Sequence, residues 1–267
     1  MTDLVKTIED LIERLDGDFD AFADTLQAEQ IPHLSFSQIT TVEACPYRYY
    51  LQYVLRQEPV PLPDYFTKGK LFHQIVASFY KTEAGSREDI QTQAFQAIAD
   101  GNLGETRRQL ENAFLVHLDH CWRDYEVVSV EKPFVMAIDP DLPPCVGVID
   151  LVLRKGNTYI LVDHKTGRDF YPQDELQMAI YVEYMRRMFG GAAYEFYYDQ
   201  YRWVNNLSRI RKPAFQRSGV RISANDWGSA LARIQKAYRL IVRIRETNRA
   251  ACNGECFRCP YRGNCRS

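Results

Sequence analysis

The strongest chemical signal in the sequence is a pair of aspartates in two apolar segments that a short turn connects. Asp150 ends the segment 145–150, and Asp163 follows the apolar residues 159–162. Gly156 and Asn157, between the segments, are typical of a two-residue hairpin turn. With this turn, Asp150 lies directly opposite Asp163, so both side chains point to one face of the sheet with Cβ atoms about 5 Å apart.

Two carboxylates this close repel each other unless positive charge lies between them. A divalent cation such as Mg²⁺ or Mn²⁺ would fit, because both ions prefer oxygen ligands, and it could activate water beside a phosphate group. Lys165 points to the same face and could orient that water or stabilise the transition state. In the alternative interpretation, the aspartates are ordinary strand-end residues and Lys165 is their salt-bridge partner.

The segments around this hairpin predict an α/β (α+β) fold in which helices flank a mixed central sheet. Strands are predicted at 127–138, 145–154, 159–162 and 194–203. Helices are predicted at 35–55 with Ser35 or Ser37 as the N-cap, at 69–82, at 86–124 with a break at 101–104, at 174–188 and at 226–248.

Charge separates an acidic N-terminal segment from the main body. Residues 1–30 carry nine acidic residues against Lys6 and Arg14, whereas residues 31–267 carry 31 basic and 26 acidic residues. The acidic segment is predicted to form two short helices. The favoured interpretation is that these helices pack on the core as a solubilising extension. In the alternatives they cover a basic groove or dock a partner. Residues 31–267 are predicted as one domain: a helical part (35–125), a catalytic core (126–203), a basic stretch with the last helix (204–249) and a cysteine cluster (250–267).

Further motifs lie on both sides of the hairpin. His73 follows Gly69 by about one helical turn, and Gln177 and Tyr181 are spaced i, i+4 on the helix after the hairpin. With Asp150 and the segment Asp-His-Lys-Thr-Gly at 163–167, their order resembles the RecB-like branch of the PD-(D/E)XK nuclease superfamily. The resemblance spans about residues 34–265.

This resemblance implies the restriction-endonuclease-like fold of that superfamily and a role for each motif. The implied metal ligands are His73, Asp150, Asp163 and the main-chain carbonyl of His164. Lys165 would be the catalytic lysine, and the ring of His164 would face away from the metal. Gln177 and Tyr181 would support the site and contact DNA. In the alternative interpretation His73 is a core residue, and Gln177 and Tyr181 only cap and pack a helix.

Four of the seven cysteines lie in the last 16 residues. Cys256, Cys259 and Cys265 have the spacing C-x2-C-x5-C, and Cys45 stands far upstream before Pro46. This arrangement resembles the iron-sulfur site of AddB-type helicase-nucleases and of CRISPR-adaptation nucleases, which implies a 4Fe-4S cluster on Cys45, Cys256, Cys259 and Cys265. Structural Zn²⁺ on the same thiolates is the alternative. The resemblance leaves Cys252 as a spare thiol, and Cys121 and Cys145 are predicted as small core residues.

Residues 202–221 contain six basic residues and no acid. They are predicted to bind DNA, with an ordinary solvated basic face as the alternative. The six residues are Arg202, Arg209, Arg211, Lys212, Arg217 and Arg221.

Composition excludes several other classes of protein. The net charge is -2, no run of 18 apolar residues is present, and the acidic N-terminus is unlike a secretory signal. A cytoplasmic, nucleoid-associated protein without membrane contact is therefore expected. The chain also has no G-x-x-x-x-G-K-[ST] phosphate loop, so any helicase motor would belong to a partner.

The resemblance implies a metal-dependent DNA nuclease, in particular an exonuclease that acts on single-stranded DNA or duplex ends in repair, recombination or phage DNA processing. One alternative is a CRISPR-adaptation nuclease that trims DNA for an integrase partner. The second alternative is a non-catalytic DNA-binding module with a metal clasp.

Overall fold

The computed structural model describes residues 2–16, 18–59, 64–82, 87–100, 106–172, 174–220, 224–254 and 259–265. The N-terminal elements are α1 (Thr2–Arg14), α2 (Phe19–Ala28), β1 (Leu34–Ser35), α3 (Phe36–Ala44), α4 (Pro46–Tyr49), a π-helical segment (Tyr50–Val54), α5 (Asp64–Lys81), α6 (Arg87–Asp100) and α7 (Arg107–His120). The C-terminal elements are β2 (Glu126–Met136), β3 (Cys145–Lys155), β4 (Thr158–Gly167), α8 (Glu175–Phe189), β5 (Ala193–Arg202), β6 (Phe215–Val220) and α9 (Ala224–Thr247).

The predicted mixed sheet is present, and β3 pairs with three of its other strands. One edge of β3 pairs antiparallel with β2. The other edge pairs parallel with β1 at Cys145 and Val146, and antiparallel with β4 from Leu151 onward. β5 continues the sheet parallel to β4, and β6 closes it antiparallel to β5.

The predicted hairpin register is confirmed. β3 and β4 pair from Lys155 with Thr158 to Leu151 with Val162, and Gly156 has the positive φ of 59° that the tight turn needs. Pairing stops at Leu151 and Val162, so Asp150 and Asp163 stand where the two strands part. We call this point the strand fork.

The continuous helix expected at 35–55 is wrong. Ser35 caps α3 as predicted, since its side chain accepts a hydrogen bond from the Gln38 amide. The helix then breaks at Cys45, which has φ -160° and ψ 109°, because the residue before a proline avoids helical conformation. The helical turn α4 and the π-helical segment follow. The break expected at 101–104 and the helix start at Ser86 lie outside the described residues.

Helices cover both faces of the sheet. On one face, α8 and α9 contribute Tyr181 and Ile234 to the largest apolar cluster, which also contains Ile149 and Leu161 of the sheet. On the other face, α5, α6 and α7 form a second cluster around Phe72. Among the parts of the chain that the structure describes, no helix is long and apolar enough to cross a membrane.

The acidic helices α1 and α2 pack against the sheet. Ile8, Phe22 and Leu26 are at most 2% exposed and form a cluster with Val135 of β2 and Val146 of β3. Their apolar faces therefore cover the end of the sheet that carries the start of β3, and the acidic side chains that the structure describes in these helices are exposed.

The packing of α2 can be tested with Phe22→Ala. The substitution removes a buried aromatic ring, so it should lower the free energy of unfolding by about 3–5 kcal/mol. Urea unfolding followed by tryptophan fluorescence measures this loss. Met188→Ala is the control; Met188 is 57% exposed and should change stability by about 0.5 kcal/mol at most. An unchanged urea midpoint for Phe22→Ala would show that α2 does not unfold together with the sheet.

Candidate active site

Asp150 and Asp163 meet at the strand fork on one face of the sheet. Val152 and Leu161, the nearest residues on the same side of each strand, lie in the apolar cluster under α8. Since β3 and β4 no longer pair at the fork, the main-chain amide of His164 donates to Oδ2 of Asp150 at 2.8 Å. A side chain of one strand thus replaces the missing main-chain partner of the other.

Asp150 also contacts α5. Its Oδ2 lies 3.3 Å from Nδ1 of His73, so the helix motif and the hairpin motif of the sequence meet at one carboxylate. Burial by itself raises the pKa of Asp150, but the charge and hydrogen bond of His73, together with His164 and Lys165, hold that pKa below its ordinary value. Burial lowers the pKa of His73, and Asp150 reverses that effect and raises it.

Asp163 is more deeply buried, with 2% of the residue exposed. Burial raises the pKa of Asp163 to about 6, the Lys165 ammonium opposes that rise, and the charge of Asp150 adds to it. Oδ2 of Asp163 lies 2.7 Å from Nζ of Lys165, whose side chain is 40% exposed. One end of this ion pair is therefore in the core and the other reaches solvent.

Gln177 holds the second oxygen of Asp163. Its Nε2 donates to Oδ1 of Asp163 at 2.7 Å and to the hydroxyl of Tyr181 at 3.0 Å. The hydroxyl of Tyr198 donates to Oε1 of Gln177 at 3.3 Å. The i, i+4 spacing on α8 thus orients one aspartate through a buried amide.

The ring of His164 lies on the opposite face of the sheet. It is 2% exposed, with ring centroids 5.6 Å from His117 and 5.9 Å from Tyr201. Burial lowers the pKa of His164 to about 4. Only the main chain of His164 is therefore at the fork.

The residues at the fork could bind a divalent cation. In the described parts of the chain, no three His, Cys, Asp or Glu side chains stand together as a preformed metal centre. Two aspartates and one imidazole nevertheless lie near one point, and in the described part of the chain Lys165 is the cation that pairs with buried Asp163. Oxygen-rich sites of this kind suit Mg²⁺ or Mn²⁺ when water or phosphate oxygens complete the coordination.

The fork opens into a wide cleft of about 2450 Å³. α2, the start of α3, the π-helical segment, α5 and the C-terminal residues 259–263 all contribute to its lining. Besides Lys165, the basic residues described in its lining are Arg56, Lys70, Arg168, Arg245 and Arg262. These five are scattered along the sequence, so no local charge pattern could have identified them.

Glu131 of β2 also lines the cleft. Its neighbours Val130 and Lys132 pair with Leu151 and Ile149, which places Glu131 opposite Asp150. Glu131 has a φ of 47°, a left-handed conformation that costs about 1–3 kcal/mol in a residue other than glycine. The strand is therefore strained beside the fork, and sequence reasoning did not identify this residue.

Of the six basic residues predicted at 202–221, the five that the structure describes do not line the cleft. Arg217 forms an ion pair with Asp199 at 2.7 Å, and Asp199 is fully buried. Arg202 donates to the carbonyls of Arg168, Lys212 and Pro213. Two of the six thus have structural partners within the fold. Arg209, Arg211 and Lys212 lie on the exposed turn before β6, and Arg221 lies outside the described residues.

The C-terminal tail lies against the break at Cys45. The amide of Tyr47 donates to the carbonyl of Ala251 at 3.1 Å, and the side chain of Asn253 donates to the carbonyl of Ala44. Sγ of Cys265 lies 3.5 Å from Sγ of Cys252, a cysteine that the resemblance left out. Cys259 lines the cleft, and Cys256 lies outside the described residues.

One family model matches most of the chain. The model of the family described as "PD-(D/E)XK nuclease superfamily" matches residues 33–266. Among solved structures, the chain is similar to a protein of Eubacterium rectale named "Putative exonuclease", with a TM-score of 0.58, 14% identity, and coverage of 90% of this chain and 91% of that chain. A protein named SSO0001 matches with a TM-score of 0.43, 12% identity, and coverage of 88% and 85%, a similarity too weak to support an argument. No curated protein matches the sequence.

The role of Gln177 can be tested with Gln177→Met, which has a similar shape but no amide. Asp163, Tyr181 and Tyr198 would each lose a buried partner, so unfolding free energy should fall by about 1–3 kcal/mol. Urea unfolding measures the change. Gln93→Met on the exposed side of α6 is the control and should stay within about 0.5 kcal/mol of wild type. Equal stability of the two variants would contradict the network.

Proposed function

The chain belongs to the PD-(D/E)XK nuclease superfamily, and we propose that it is a metal-dependent deoxyribonuclease of the RecB-like branch. In this proposal it acts as an exonuclease on single-stranded DNA or on duplex ends. The observation that carries the proposal is the strand fork, where Asp150, Asp163 and Lys165 meet beside a cleft. The protein of Eubacterium rectale with a similar fold is named "Putative exonuclease", which supports the choice of activity.

Each residue at the fork has a distinct task in phosphodiester hydrolysis. Asp150 and Asp163 would hold a divalent ion together with His73 and the carbonyl of His164. When bound, this ion would supply an activated water and neutralise charge on the phosphate. Gln177 fixes the orientation of Asp163 through its amide.

Lys165 is placed to act on the phosphate itself. Its ammonium is anchored to Asp163 at 2.7 Å and is partly exposed to the cleft. From there it can donate to a non-bridging phosphate oxygen as negative charge develops during attack by water. The water oxygen would form the new bond to phosphorus while its proton passes to solvent, and the deoxyribose oxygen would leave with the electrons of the broken bond and take up a proton from solvent.

The cleft suits a polymeric substrate. Pockets for small molecules usually measure about 300–1,000 Å³, whereas this cleft measures about 2450 Å³ and is open. Arg56, Lys70 and Arg168 lie on its sides, where they can contact phosphates on both sides of the scissile bond. A DNA strand lying along the cleft would therefore pass over the fork.

The nuclease can be tested with 5'-labelled and 3'-labelled DNA, single-stranded and duplex, in Mg²⁺ or Mn²⁺. Wild type should degrade DNA from an end, Asp163→Ala should show only background cleavage, and Lys165→Met should be slower by about 10²–10³-fold. The controls are Asp141→Ala and Lys155→Met, two exposed residues outside the cleft. Folded wild type that leaves all substrates intact would refute the proposal, as would cleavage by Asp163→Ala at the wild-type rate.

We also propose that Cys45, Cys256, Cys259 and Cys265 bind a structural 4Fe-4S cluster. The hydrogen bonds of Tyr47 and Asn253 hold the C-terminal tail against the helix break that carries Cys45, which supports a shared site. A cluster that joins Cys45 to Cys256 would close the long loop between them. On the scale for disulfides, closing a loop of more than about 100 residues stabilises the folded protein by about 4–5 kcal/mol. Because Cys259 lies at the cleft, loss of the cluster would also disturb one side of the cleft.

Anoxically purified protein should contain iron and acid-labile sulfide in equal amounts, measured chemically together with its visible absorbance. Cys45→Ser should lose both, whereas Cys121→Ser, which changes a thiol beside Arg123, should keep them. Comparing Cys252→Ser with Cys256→Ser identifies the fourth ligand. We expect iron and sulfide to be lost in Cys256→Ser and kept in Cys252→Ser. If the protein contained one zinc ion per chain and no iron, the site would bind structural Zn²⁺, and the proposal of a 4Fe-4S cluster would be wrong.

A further inference from the structure

Tyr171 is an exposed aromatic residue held in the cleft by a rigid loop. Tyr171 is 51% exposed. It lines the cleft together with Lys165 and Trp203. Large apolar surfaces are normally buried. An aromatic ring kept in solvent inside a cleft therefore needs a reason other than folding.

The main chain of Tyr171 is fixed by a buried amide. Its N–H donates to Oε1 of Gln200 at 2.8 Å, and its carbonyl accepts from Nε2 of Gln200 at 3.2 Å. Gln200 is 3% exposed and pairs directly with Lys165 in the parallel register of β4 and β5. Adjacent strands lie about 4.8 Å apart, so Tyr171 is anchored beside the lysine of the fork.

The rest of the loop is held in the same way. The amide of Trp203 donates to the carbonyl of Gly167 at 2.8 Å, and Nε of Arg202 donates to the carbonyl of Arg168 at 3.1 Å. These bonds leave the segment between β4 and Tyr171 little freedom. The exposure of the ring is thus a fixed feature of the loop.

Gly167 makes room for the ring. A Cβ at this position would lie 2.4 Å from Cε2 and 2.7 Å from the hydroxyl oxygen of Tyr171, far inside van der Waals contact. The ring therefore lies directly over the Gly167 main chain, two residues beyond Lys165. This distance along a strand is roughly 7 Å, which is within reach of a nucleotide bound at the fork.

We propose that Tyr171 stacks on an unpaired nucleobase next to the scissile phosphate. This proposal rests on the proposed nuclease function and adds a preference for single strands. Every base offers an aromatic face, so such stacking tolerates any sequence. Bases inside a duplex are already stacked on their neighbours, whereas the bases of a single strand or of an unpaired end are free to stack on Tyr171.

The test compares DNA binding by Tyr171→Ala, Tyr171→Phe and Phe189→Ala. All three are made in an Asp163→Asn background to prevent cleavage, and fluorescence anisotropy measures binding of labelled oligothymidylate and of a blunt hairpin duplex. Stacking is worth about 1–3 kcal/mol per base, so Tyr171→Ala should weaken binding of the single strand about 5- to 150-fold. Tyr171→Phe keeps the ring and should bind normally. Phe189, 42% exposed and outside the cleft, is the matched aromatic control.

An abasic scan gives a readout that a merely structural role of Tyr171 would not change. Single bases are removed one at a time along the oligonucleotide. Loss of the base at one position should weaken binding by the Asp163→Asn protein, whereas binding by the Tyr171→Ala variant in that background should not depend on the base at that position. Gly167→Ala, which displaces the ring without removing it, should resemble Tyr171→Ala. Thermal unfolding shows that each variant is folded.

Two results would overturn the stacking proposal alone: wild-type affinity in Tyr171→Ala, or a loss in Tyr171→Phe as large as in Tyr171→Ala, which would assign the effect to the hydroxyl. If the Asp163→Asn protein bound no DNA and the wild type cleaved no DNA, the proposed nuclease function would fail together with the stacking proposal. A wild type that cleaves DNA normally therefore separates the two failures.

Discussion

The site depends on the point at which β3 and β4 stop pairing. The hairpin brings two aspartates to one face of the sheet, where continued pairing would press two carboxylates together in an apolar environment. Pairing instead ends at Leu151 and Val162, and the amide of His164 turns to the carboxylate of Asp150. Like charges in a low dielectric cost free energy unless cations or hydrogen bonds compensate them, and the surrounding structure supplies this compensation.

The compensation comes from both faces of the sheet and gives the two aspartates different surroundings. α5 brings His73 to Asp150, and α8 brings Gln177 to Asp163. The pKa of Asp150 lies below its ordinary value, whereas burial raises the pKa of Asp163. Lys165 is the only cation paired with Asp163 within the described part of the chain. Binding of a further cation at the fork is therefore favourable.

Distant parts of the chain meet along the cleft beside the fork. α2 forms part of one side, and the residues around Cys259 form part of another. Arg56, at the end of the π-helical segment, donates to the carbonyl of Gln27 in α2 at 2.8 Å. α2, the π-helical segment and the cysteine region therefore shape one surface, although they are far apart in sequence.

Local sequence patterns predicted those features that depend on local chemistry. The glycine turn and the alternation of side chains were enough to fix the register of Asp150 and Asp163, because both rules act within one hairpin. The break at Cys45 was missed, although the proline after it was a local signal. The clamp on Tyr171 depends on the parallel pairing of β4 with β5, which no neighbouring residues encode. A count of basic residues also could not show that Arg217 serves a buried aspartate, because charge patterns contain no information on burial.

The proposed site requires Asp150 and Asp163 to bind one divalent ion together. Calorimetric titration of the folded protein with Mn²⁺, in the absence of DNA, measures this binding. We expect one ion per fork in wild type, loss of that binding in both Asp150→Asn and Asp163→Asn, and normal binding in Asp141→Asn. Wild-type Mn²⁺ binding in either fork variant would show that the two carboxylates do not share an ion.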